Sequence, residues 1–151
     1  MKNVRFLLLV LLTTTVAAQD EASRKTHFNL KKGVALQGYD PVSYFSSQPR
    51  EGKDEFTATI QGVTYLFATA SNRDTFKRSP EKYEPAYGGW CAFAMGESGE
   101  KVKIDPDTYK IIDGKLFLFY NFWGNNTLET WNKSESELKS KGDRNWKKFI
   151  P

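Results

Sequence analysis

Of 151 residues only one is cysteine and only one is histidine. A disulfide within the chain is therefore excluded, and Cys91 is either buried or chemically employed in an oxidising compartment. His27 lies 64 positions before Cys91 in a polar stretch with no ordering signal, which argues against a Cys-His nucleophile pair and hence against hydrolase chemistry. Long apolar runs are also missing after the first eighteen residues, so no membrane span is expected in the remainder. Charge of one sign is in only slight surplus: 22 basic side chains face 18 acidic ones, interspersed, with no basic stripe of the kind that tracks a phosphate backbone. Nucleic acid is accordingly not expected as a partner.

The opening eighteen residues combine Lys2 and Arg5, an apolar run from Phe6 to Leu12 extending through Val16, and the small residues Ala17-Ala18. This is the pattern of a cleavable secretory signal peptide over 1–18, with a mature chain starting at Gln19 and exported to the periplasm or the extracellular space. No cysteine follows the apolar run, so a lipid-anchored N-terminus is not expected. Removing Lys2 and Arg5 leaves 20 basic side chains against 18 acidic, so the basic pI of 9.1 owes much to the leader. The 133 residues that follow fit one domain, large enough to bury a core without crosslinks. The chain's 11 Phe, 7 Tyr and 4 Trp, of which only Phe6 lies in the leader, supply the domain with large side chains whose gaps small residues must fill.

Residues 19–35 read as a flexible lead-in that docks through Phe28, Leu30 and Val34, with the domain proper over 36–151. Asp40 followed by Pro41 predicts an N-cap and the first position of a short helix. Phe56 to Ile60 and Val63 to Phe67, joined by Gln61-Gly62, predict a β-hairpin. Ser71 and Asp74 resemble a capping box for a helix that buries Phe76 and is interrupted at Pro80. Tyr109 to Ile112 and Lys115 to Phe119 flank Asp113-Gly114, the clearest hairpin signal in the chain. After Asn121 the pattern turns helical, with Trp131 and Leu138 inward and Glu135–Lys139 and Glu137–Lys141 as i,i+4 pairs before a stop at Gly142. Hairpins packed with short helices make this an α+β domain.

The segments Gly38-Tyr39-Asp40-Pro41-Val42-Ser43-Tyr44-Phe45, Tyr65-Leu66-Phe67-Ala68, Asn72-Arg73, Pro80-Glu81-Lys82-Tyr83, Tyr87-Gly88-Gly89-Trp90-Cys91-Ala92, Asp113-Gly114-Lys115-Leu116 and Asn145-Trp146 occur in an order that resembles exported bacterial YHS-domain proteins. The resemblance runs from about Val34 to Trp146 and implies a small treble-clef-like core. The wider YHS group includes cysteine-bearing metal modules attached to transport ATPases. Here Ser43, Ala68 and Asn72 stand where those cysteines would be, and such side chains do not replace thiolate donors, so the inherited metal site is not expected.

Two candidate sites follow. Cys91 opens a short helix after two glycines, where helix-end N–H groups favour a thiolate, and Met95 four residues on would share its face, a soft pair suited to copper(I). A single-thiol redox role is the other use of Cys91; burial as a small hydrophobe is the competing reading. The second candidate is a pocket of phenols and a carboxylate for a small ligand, with Tyr39, Asp40, Tyr44, Asn72, Arg73, Tyr87, Gly88 and Gly89 alongside Cys91. Capping by Asp40 and core packing of the tyrosines explain most of the same residues. The expected function is a non-enzymatic binding or accessory module whose partner is a small ligand, a metal ion or another exported protein.

Overall fold

The computed structural model describes residues 20–150, so the leader expected over 1–18 lies outside the described residues. Helix α1 occupies 20–27, and a first hairpin follows, β1 (Leu30–Lys31) and β2 (Val34–Ala35). The main hairpin is β3 (Lys53–Ile60) with β4 (Val63–Phe67). Next come α2 (Ala70–Arg78), α3 (Pro80–Tyr83), a tight turn over Ala86–Gly89 and α4 (Ala92–Glu97). The second half holds β5 (Asp105–Ile112), β6 (Lys115–Phe119), the small hairpin β7 (Asn121–Phe122) and β8 (Asn125–Asn126), then α5 (Thr127–Lys133) and α6 (Glu135–Trp146). The result is a small α+β domain of hairpins and short helices. Among the described residues no helix is long and apolar enough to cross a membrane.

All four hairpins turn on a residue followed by glycine, at Lys32-Gly33, Gln61-Gly62, Asp113-Gly114 and Trp123-Gly124, each pair with positive φ. Two left-handed residues in succession make the type I′ turn, whose twist matches that of the paired strands. The strands form a four-stranded sheet in the order β1-β2-β4-β3 and two separate two-stranded ribbons. Along β4, Val63, Tyr65 and Phe67 are buried and Thr64 and Leu66 are less so, the period-2 pattern of a strand with one face on the core.

Strand β6 is buried on both faces, from Leu116 to Phe119. Its alternation divides the interior. Leu116 and Leu118 join the core under the four-stranded sheet, with Tyr65, Phe67 and Phe76. Phe117 and Phe119 join a second core with Met95, Trp131 and Leu138 beneath α4, α5 and α6. One strand thus serves two cores because its side chains point alternately to either side.

Several local expectations are corrected. Residues 20–35 are not a loose lead-in: β2 pairs in parallel with β4 at Val34↔Thr64, and the Trp90 indole N–H donates to the His27 carbonyl at 2.7 Å. The boundary expected at residue 36 therefore cuts through the domain's own sheet. After Asp40-Pro41 the chain makes only a 3-10 turn over Ser43–Ser46. Thr69, not Ser71, caps α2, accepting from the Asn72 amide. Gly142 does not stop α6 but lies within it, where the Tyr87 ring comes so close that a Cβ would fall 2.7 Å from its hydroxyl. Glu137 pairs with Lys141 as expected, whereas Glu135 bonds Lys110 and Lys139 turns to Asp143.

Candidate functional site

Cys91 stands at the start of α4, as the sequence suggests, but in the core. It is fully buried, its Sγ accepts from the Tyr120 backbone N–H at 3.3 Å, and the Thr127 hydroxyl lies 3.5 Å away. Thr127 in turn donates to the Tyr120 carbonyl, so sulfur and hydroxyl together tie β6 to α5. Met95 is also fully buried, in the core beneath α6. Both sulfurs are therefore closed to solvent, which removes the access that copper capture or thiol exchange requires. Among the described residues no three His, Cys, Asp or Glu side chains converge as a metal site. We expect the folded chain to react with a thiol reagent at least about 100-fold more slowly than the denatured chain, since labelling must await opening of the core. Rapid labelling of the folded protein would contradict this placement.

The tyrosine and carboxylate group around Asp40 is a staple rather than a pocket. Asp40 is fully buried, and its Oδ1 accepts from the Val42 amide at 2.9 Å. Its Oδ2 accepts from the Ala68 amide at 2.9 Å and the Asn72 side chain at 2.6 Å. These bonds tie the turn after Gly38 to the junction of β4 and α2. Tyr44 is buried, donates to the Pro106 carbonyl at 2.8 Å and meets Tyr109 edge to face. Tyr39 is half-buried, and burial followed by the charge of Asp107 raises its phenol pKa. Arg73 pairs with neighbouring Asp74 at the surface. Of the expected residues, Asp40 and Asn72 are thus in contact, Tyr44 faces β5, and Arg73 points to its own helix neighbour.

Tyr87, Gly88 and Gly89 form a different site. All three have positive φ, at 53°, 58° and 85°. For a tyrosine this backbone costs about 1–2 kcal/mol, so the surroundings must hold it. They do so through the phenol, which donates to Asp143 Oδ1 at 2.9 Å on α6, and through the ring, which packs edge to face on Phe117. Burial, reinforced by Asp143, raises the Tyr87 pKa well above the ordinary phenol value, so it stays a proton donor. Gly88 is required by space as well as by φ: a Cβ there would fall 2.7 Å from Trp146 Cη2 and 2.9 Å from Phe28 Cδ1.

Beside this turn opens a cleft of about 440 Å³. Phe28, Tyr87, Phe117 and Trp146 line it with aromatic surface, and Arg24, Lys115 and Lys139 with Glu84, Asp113 and Asp143 supply charge. Only Tyr87 and Gly88 of the expected site residues reach it; Gly89 continues the turn, and its carbonyl accepts from the Asn29 side chain at 3.0 Å. The charged members were missed by sequence reasoning. They come from α1, the link between α3 and the Ala86–Gly89 turn, the β5–β6 turn, β6 and α6, far apart in the chain, and isolated charges carry no periodic signal. The one usable hint was the pair of glycines after a tyrosine, a run that asks for left-handed backbone. Comparison with known proteins returns no match, whether against models of protein families, curated proteins or solved structures.

Proposed function

We propose that this chain is an exported, YHS-like binding or accessory module without catalytic chemistry of its own, and that its ligand is a small molecule held in the cleft beside Tyr87-Gly88. The observation that carries this reading is the cleft itself: about 440 Å³ lies within the range of small-molecule sites, and an aromatic wall with a few charged groups is the usual make-up of one. Export is supported by the leader pattern of residues 1–18, and the YHS likeness by the ordered motifs from Gly38 to Trp146. The strained Tyr87 backbone adds weight, since such conformations gather at ligand-binding and switch regions.

The test is a ligand-detected NMR screen of the chain with a set of small aromatic compounds, neutral and charged, repeated on Gly88→Ala. The new methyl must displace the Phe28 or Trp146 ring that walls the cleft, so binding should weaken at least about fivefold while the fold survives. Compounds that bind both forms equally, or no binding compound at all, would contradict the reading.

A further inference from the structure

The charged groups around the cleft are not equally engaged. At one end Asp143 accepts from both the Tyr87 hydroxyl and Lys139 Nζ, at 2.9 and 3.1 Å, and the set is satisfied among its own members. At the other end Glu84 Oε1 accepts from Arg24 Nη2 and from the Tyr65 hydroxyl. Arg24 remains short of partners. Its side chain is only 9% exposed and its guanidinium lies 4.4 Å over the Phe28 ring, yet the buried Nε–H has no acceptor among the described residues. Lys115, the first residue of β6, also lines the cleft and donates to the Glu81 carbonyl at 2.9 Å, which leaves further N–H capacity on its ammonium. Arg24 and Lys115 share this end with Glu84, whose Oε1 already accepts twice, and with Asp113, which lies exposed on the turn before Lys115. Burial lowers the Lys115 pKa against the opposing charges of Glu84 and Glu81.

A buried, charged N–H without a partner is rare in native proteins, and a ligand acceptor is one physical reason to keep it. We propose that the cleft takes a small organic carboxylate, with its anionic group received by Arg24 and Lys115 and its apolar, aromatic body against Phe28, Tyr87 and Trp146. The assignment rests on the binding reading above and names its ligand class. A cationic ligand is disfavoured inside the cleft because Asp143 is spent on Tyr87 and Lys139 and Glu84 Oε1 on Arg24 and Tyr65, while the third lining carboxylate, Asp113, lies exposed on the β5–β6 turn. A neutral aromatic would fill the wall but leave Arg24 Nε as it is.

The experiment follows the Arg24 Nε–H cross-peak of the ¹⁵N-labelled chain during titration with phenylacetate or indole-3-acetate, and in parallel with phenylacetamide or indole-3-acetamide, which match them in shape without the charge. The acids should move that peak saturably and bind at least about tenfold tighter than the amides, the scale of one charge-assisted hydrogen bond. Lys115→Gln should reduce that preference about tenfold, and Arg73→Gln, at the surface outside the cleft, should leave it within about twofold. The comparison of acid with amide on the unsubstituted chain stands whether or not either variant folds. Equal binding of acid and amide would overturn the anion assignment and leave the binding reading intact. If neither compound moves the Arg24 peak or the Trp146 indole signal, both are overturned.

Discussion

Asp40→Ala is expected to destabilise the chain by about 3–5 kcal/mol, because it leaves two backbone amides and the Asn72 side chain without their shared acceptor in a fully buried position. A domain of this size has about 5–15 kcal/mol to lose, so the midpoint of urea unfolding should fall by a third or more. Arg73→Ala, at the surface beside Asp74, should change stability by less than about 0.5 kcal/mol. The contrast decides what the Gly38–Phe45 motif is for. If Asp40→Ala keeps its stability but loses ligand binding, the motif is a binding site and the staple account fails.

Gly96→Ala is the second large effect, and its sign is informative. In the last turn of α4 the change gains at most about 1 kcal/mol of helix propensity. The added Cβ, however, would sit 2.5 Å from the Leu138 carbonyl oxygen and 3.0 Å from its carbon, on the backbone of α6. Backbone does not rotate out of the way as a side chain does, so the two helices must separate and loosen the packing of Met95 and Trp131. The net expectation is a loss of about 2 kcal/mol in urea unfolding. A stabilised variant would mean that α4 and α6 do not approach this closely.

The sequence made the hairpins and the helix pattern legible because both rest on local rules. Asp113-Gly114 and Gln61-Gly62 announce their turns, and Trp131 and Leu138 mark the inner side of the last helices. Lys32-Gly33 and Trp123-Gly124 follow the same rule but are flanked by strands of only two residues, too short for an alternating pattern to register. The role of Cys91 turned on whether β6 and α5 close over it, a tertiary fact that helix position alone cannot supply. Asp40 shows the same limit: its bond to Val42 is the local turn contact that its position suggests, while the partners that explain its burial come from Ala68 and Asn72. Arg24 was hidden most completely. It lies in a segment read as a lead-in, and its meaning depends on Glu84, sixty positions away.

The working face we propose for this protein is the aromatic cleft at Tyr87-Gly88, and not the thiol or the Asp40 turn. A chemical-shift map of the chain with a bound aromatic carboxylate tests it most directly. The shifted signals should cluster at Arg24, Phe28, Tyr87, Gly88 and Trp146, all of which line the cleft. Shifts concentrated around Cys91 and Tyr120, around Asp40 and Asn72, or at the exposed Trp123 would contradict it.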